Sequence, residues 1–365
     1  MLVIVVLLAG GTLLTWQFVV VPQLSCSKSA DVSRSGAMTE FCFPYNVQRL
    51  GDSMTAGPDG NLWFTDSRTG KIGRITPEGM ITEFAVPSPP ATANYSNYYR
   101  IVRGPDGNLW FNEENKIGRM SPRGDVQEFA LPQGSGVVEN ITAGPDGNIW
   151  FSESIGHGRQ DFVGVDKIAK MTPSGHVTEF SLPFPGQGPR DVTFKGVLGL
   201  APGSDGNVWF VEGTYPIAAI IGRITPAGQF TEFPVAGDSS SLEALTTGPD
   251  GNVWFIDVNG LVGRITPAGA IKLFQVVDPR AVDSVAIGMG PDSNVWFSVQ
   301  RDKIVRITPS GVMTQFPLPH TGDVTGITAG PDGGVWFLLN VREYDFPAVI
   351  IAGNIRGTRI VRVTP

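Results

Sequence analysis

Hydrophobic residues in this chain fall in runs of five or six, rich in β-branched and aromatic types and separated by polar turns that contain proline and glycine, a pattern of short β-strands. The first complete unit shows the order. A strand ending at Met54-Thr55-Ala56 meets the turn Gly57-Pro58-Asp59-Gly60, and a second strand runs from Asn61 to Thr65. A third follows at Lys71 to Thr76, and after Pro77-Glu78-Gly79 a fourth runs from Met80 to Phe84. Proline presets φ in these turns and glycine supplies the residue free to take positive φ.

The unit recurs at intervals of about 40 to 60 residues, the range in which self-similarity means a repeat architecture. Its turns begin at Gly57, Gly104, Gly144, Gly203, Gly248, Gly290 and Gly330, and each leads to a Trp-Phe pair, at Trp63, Trp110, Trp150, Trp209, Trp254, Trp296 and Trp336. Four antiparallel strands per unit predict the blade of a β-propeller, and seven units predict seven blades. The seventh unit stops after its third strand, Arg359 to Thr364. At the other end, Gly36-Ala37-Met38-Thr39-Glu40-Phe41 matches a fourth strand with no first three before it. An all-β, seven-bladed ring closed by that N-terminal strand leaves no open edge. The repeated tryptophans read as core between blades, because both sides of a central strand are buried there.

The repeat spans residues 36–365, so the 365-residue chain reads as one ring preceded by residues 26–35 as a polar linker and 1–25 as an apolar segment. Residues 2–21 carry no charge and are long enough to span a bilayer; Ser25-Cys26-Ser27 offers a signal-peptidase site as the alternative. Either reading delivers the propeller outside the cytoplasm, membrane-anchored or secreted. There Cys26 and Cys42 could pair, or stay as two thiols. A net charge of −7 with no basic cluster argues against nucleic acid and for a neutral or cationic partner, taken up by a monomeric ring.

The turns between strands one and two and between three and four repeat closely, whereas the loops of the opposite, upper face vary, so specific chemistry belongs there. An acid follows the Trp-Phe pair at Asp66, Glu113, Glu153, Glu212 and Asp257. Two readings stand: a carboxylate ring for a hard cation, or acids satisfying backbone N–H groups or a neighbouring arginine. Five residues before the turn glycine, where innermost strands start, stand Asp52, Tyr99, Glu139, Leu198 and Glu243. With Asp283 and Asp323 they predict an acidic channel mouth. His157, His176 and His320 lack metal-ligand spacing and read as loop residues, with His320 and Asp323 as catalytic candidates.

The repeat Gly-Asn-Leu-Trp-Phe-Thr-Asp, with Lys-Ile-Gly-Arg-Ile-Thr-Pro and Ile-Thr-Glu-Phe, resembles the streptogramin B (virginiamycin B) lyase family. The resemblance implies a seven-bladed propeller and a Mg²⁺-dependent elimination. In it, a base removes the proton alpha to an ester carbonyl and the ester oxygen departs. The family's two histidine places hold Val285 and Thr325 here, and its two glutamate places hold Asp323 and Asn340. Valine and threonine cannot act as the base. The expectation is therefore a propeller that binds a small polar or cationic ligand, or a cell-envelope partner, at its acidic mouth. The alternative is a metal-dependent carbon–oxygen lyase with its base relocated.

Overall fold

A computed structural model describes the chain apart from residues 1–2, 7–16, 21–29, 34–35, 43–52, 67–68, 88–99, 114, 155–165, 184–193, 216–219, 236–241, 258–260, 277–285, 300 and 342–357. Seven antiparallel sheets succeed one another in chain order, and six have four consecutive strands each. In the first blade these are Met54–Ala56, Leu62–Asp66, Lys71–Ile75 and Ile81–Ala85. Short turns fix the register, so that Trp63 stands opposite both Thr55 and Arg74.

The seventh sheet closes the ring as the sequence predicts. Gly322–Ala329, Val335–Val341 and Thr358–Val363 are joined by Gly36–Cys42, which pairs antiparallel to the last strand with Ile360 opposite Phe41. A difference from expectation lies just before it. Ala30–Ser33, within the segment expected as a linker, adds a fifth strand outside Gly36–Cys42. Its backbone groups find partners on an edge that would otherwise face water. Val3–Val6 and Gln17–Val20 pair as a separate ribbon. No helix among the described residues is long and apolar enough to cross a membrane. A Cys26–Cys42 pairing falls outside the described residues.

The tryptophans occupy the joints between blades, as expected. All seven blade tryptophans are fully or almost fully buried. Trp63 packs among Ile101, Leu109 and Phe111 of the second blade, and Trp336 among Leu62 and Phe64 of the first, so the joints run all the way round. Each tryptophan also faces the phenylalanine of the outermost strand in its own blade, as Trp63 does Phe84 at 5.1 Å and Trp336 does Phe41 at 5.0 Å between ring centres.

The repeated aspartate turns out to anchor that stack. Asp59 Oδ1 accepts from Trp63 Nε1 at 3.0 Å while Oδ2 accepts from Asn61 Nδ2 at 2.8 Å, and the tryptophan bond recurs at Asp106, Asp146, Asp205, Asp250, Asp292 and Asp332. A third-strand cation lies over each tryptophan and pairs with the same aspartate, Arg264 with Asp250 at 2.7 Å being the tightest. Several of these cations continue outward, as Arg119 Nη1 does to Pro173 O of the following blade at 3.1 Å. Beside that proline the turn glycine, Gly175, has φ 94°, and a Cβ there would overlap the Phe129 ring of the preceding blade. The Thr-Pro-x-Gly segment is thus both a turn and an inter-blade contact.

Candidate functional site in the central channel

The innermost strands of all seven blades enclose a cavity of about 440 Å³ on the ring axis. Its wall is formed by residues 53–55, 100–102, 139–142, 197–200, 243–245, 286–287 and 325–327. This size lies in the range of small-molecule sites.

Local irregularity decides what faces the cavity. In the third, fourth and fifth blades the innermost strand carries one residue more than its neighbour can pair, and the register skips Glu139, Leu198 and Glu243. Bulges of this kind bend a strand and re-aim a side chain. In the seventh blade the skip falls between Thr325 and Thr328 and spans Gly326, whose φ is 61°. Side chains of neighbouring strands bind the exposed backbone groups: Asn112 Nδ2 donates to Val138 O at 2.7 Å, and Asn140 Nδ2 donates to Val197 O at 2.8 Å and Ser152 Oγ at 3.1 Å. The bulged wall is therefore braced from behind.

Of the residues expected at an acidic mouth, Glu139 and Glu243 line the cavity. Asp52, Tyr99 and Asp283, like His157 and Val285, lie outside the described residues. Asp323 does not line it. Its carboxylate accepts from Arg301 Nε at 3.2 Å, and the residue pairs with Asn340 inside the seventh sheet. His320 is also outside the wall, with Nε2 3.4 Å from Glu40 Oε2 on the closing strand. Neither catalytic candidate thus stands on the cavity wall, Asp323 being paired with an arginine of the sixth blade and His320 with a glutamate of the closing strand.

Arg100 is the cavity residue that the sequence reading missed. It follows the rim position of the second blade directly, and its N–H donates to Asn112 Oδ1 at 2.6 Å. Glu243 is itself exposed to the channel, while the protein around its carboxyl partly desolvates it. This desolvation raises its pKa above the ordinary value, against the opposing pull of the Arg100 charge. The mouth is mixed in charge, not purely acidic.

Two of the acids after the Trp-Phe pairs are bonded within their own blades, and Glu212 is fully buried. Asp66 accepts from Thr69 N at 3.3 Å and Thr69 Oγ1 at 2.7 Å, and Asp257 accepts from Leu261 N at 2.6 Å. Glu113 and Glu153 are buried beside Glu128 and Glu179, each of which is held by a lysine, Lys116 at 2.8 Å and Lys167 at 2.6 Å. Burial first, and the neighbouring carboxylate second, push both up to about 7. Among the described residues no three His, Cys, Asp or Glu side chains converge on a metal position. The family's glutamate places do not fit one either, since Asp323 is held by Arg301 and Asn340 Oδ1 accepts from Thr358 Oγ1 at 2.7 Å.

Residues 23–215 and 194–356 match the Virginiamycin B lyase family in two overlapping stretches. The chain belongs to the virginiamycin B lyase family. Virginiamycin B lyase from Staphylococcus aureus, as a crystal structure, superposes with a TM-score of 0.69 at 28% identity, over 90% of this chain and 99% of its own. A catalytically inactive histidine-to-alanine variant of that enzyme, with quinupristin, matches to the same extent. A streptogramin B lyase structure gives 0.68 at 28% identity, over 89% and 97% of the two chains. No curated protein sequence matches. Within this virginiamycin B lyase family framework the chain has the seven-bladed ring, and among the described residues its charged channel side chains stand in the second, third and fifth blades.

Proposed function

We propose that this member of the virginiamycin B lyase family is an extracytoplasmic binding protein, and that its central channel takes up a small polar ligand bearing positive charge. The observation that carries the reading is the pair of bulges that turn Glu139 and Glu243 onto one cavity. A bulge costs ladder hydrogen bonds, and at the Glu139 bulge Asn112 compensates by donating to the Val138 carbonyl. Carboxylates on a rigid, partly desolvated wall attract cationic groups more strongly than they would in open water. The apolar residues 2–21 supply the export or anchoring. Calorimetric titration of the full-length protein with a panel of cationic, neutral and anionic metabolites tests the reading. Cationic compounds should bind and the double variant Glu139→Gln, Glu243→Gln should not; binding of anionic compounds alone would overturn it.

A second reading, elimination at an ester carbon–oxygen bond, is favoured by one observation. Glu243 lines the cavity with its pKa raised by burial, the direction that makes a carboxylate a better base, and Arg100 on the same wall could stabilise developing negative charge. Mass spectrometry of an incubation with quinupristin and Mg²⁺ decides between the two readings. The binding reading expects intact cyclic compound, because Val285 and Thr325 replace the histidines; a linear product that disappears in Glu243→Gln would favour the lyase.

A further inference from the structure

We propose that the channel ligand is a primary amine that also carries a carboxylate, an amino-acid-type zwitterion whose ammonium sits at Glu243; this rests on the channel being a binding site, as argued above. The wall is unbalanced in hydrogen-bonding type. The wall carries the carboxylates of Glu139 and Glu243, and two of its residues hold a buried polar oxygen without a partner, Asn140 Oδ1 and Thr325 Oγ1. Their residues are 4% and 7% exposed, so bulk water does not satisfy those atoms freely. Nor can Asn140 turn over, because its Nδ2 is committed to Val197 O and Ser152 Oγ, and the flipped amide would set oxygen against that carbonyl.

An acceptor-rich wall calls for a donor-rich ligand. A primary ammonium brings three N–H donors and the charge opposite to Glu243. A hydrated divalent ion fits less well, since the Arg100 guanidinium on the same wall repels a double charge and two carboxylates line the cavity among the described residues. Arg100 fits a different part of the ligand. Its five N–H donors leave capacity, beyond the contacts it already makes, to bind a carboxylate through two of them. Charge of both signs on one wall therefore matches charge of both signs on one small molecule. A cavity of about 440 Å³ accommodates an amino acid or a dipeptide.

Saturation-transfer NMR followed by calorimetry tests this on the full-length protein. The probes are the common amino acids and dipeptides, their decarboxylated amines, their N-acetyl derivatives, the matching carboxylic acids, and glucose and glycerol as neutral controls. Compounds with a free ammonium should bind. N-acetylation should abolish binding, loss of the carboxylate should weaken it about tenfold, and Glu243→Gln should weaken it about tenfold or more. Glu243→Asp, which keeps the charge, should retain part of the affinity, and Thr325→Val should lose several-fold; both melts should match the parent. If the decarboxylated amines bind at least as tightly as the zwitterions, or Mg²⁺ or Ca²⁺ binds in their place, the zwitterion inference is overturned while the channel remains a site for positive charge. If only neutral or anionic probes bind, or no probe of any class binds, both the inference and the binding reading fail.

Discussion

In the lower half of every blade an aspartate, a tryptophan, a third-strand cation and a phenylalanine stack in the same way. Five residues before each turn glycine, on the same innermost strands, few of the blades agree. The lower stack couples each blade to the next, so a change in one blade would misfit its neighbour, and all seven have to obey one geometry. The channel wall is less constrained. There Glu139, Leu198 and Glu243 stand at equivalent bulges with different chemistry, and Asn112 and Asn140 brace the first two from the preceding blade. Repetition marks what the ring needs to stand, and variation marks what this ring is free to use.

The largest effect should come from opening the ring. Deleting residues 36–42 removes the strand that pairs with Thr358–Val363, and with it the buried side chains of Met38 and Phe41. Those two side chains alone contribute about 3–6 kcal/mol, and cooperative unfolding should be lost. Deleting residues 1–29 should leave the melt nearly unchanged; equal melts for the two truncations would refute the closure as the keystone of the ring.

Next in size is the stack itself. Trp150→Ala should cost about 3–5 kcal/mol in a denaturant melt, as expected of a large buried aromatic. Asp146→Ala, which leaves Trp150 Nε1 without its acceptor and Lys170 without its carboxylate, should cost about 1–3 kcal/mol. Because the blades are equivalent, Asp59→Ala should behave alike, and a blade in which the change is silent would break the equivalence.

Acid and base then act on different parts. Burial opposes ionisation of Asp59, Asp106, Asp146, Asp205, Asp250 and Asp332, but hydrogen bonds from tryptophan and the neighbouring backbone or asparagine outweigh it and hold their pKa values below 3.8. Their contribution is present above the unfolded value and lost as pH falls through the folded one. Glu113 and Glu153 run the other way. With folded values of about 7 against 4.5, they bind protons better in the folded state, so stability declines as pH rises from 4.5 to about 7. Glu113→Gln with Glu153→Gln should flatten that decline and melt higher than the parent near about pH 8; an unchanged slope between about pH 5 and about pH 8 would exclude them as its source.

The smallest effect on stability belongs to the wall. Glu139→Gln with Glu243→Gln should leave the melt within about 0.5 kcal/mol of the parent, or raise it, while cationic ligand binding is lost. In the parent, that binding should weaken on acidification at a higher pH than an ordinary glutamate would give, because the Glu243 pKa is raised. Unchanged binding with lowered stability would place these carboxylates among the structural groups.

The ring was legible in the sequence because its determinants are local and repeated. Proline and glycine set the turns, Trp-Phe pairs mark the second strands, and Gly36 to Phe41 matches the fourth strand that the last unit lacks. The burial of the tryptophans follows from the same pattern. What sequence spacing could not decide is which side chains reach the channel. Asp323 and Glu243 look alike as acids near strand starts, but Asp323 meets Arg301 from the sixth blade, whereas Glu243 stands on a bulge that turns it to the axis. A bulge shifts register by one residue and exchanges the faces of a strand, and whether it forms depends on partners such as Asn140 and Ser152, which belong to neighbouring strands. The same holds for Arg100, one residue past the rim position in sequence yet part of the cavity wall, and for Asn140, whose stranded oxygen exists only because its nitrogen is held by the next blade. Local patterning determined the blades and their order; contacts between strands distant in the chain decided the chemistry of the channel.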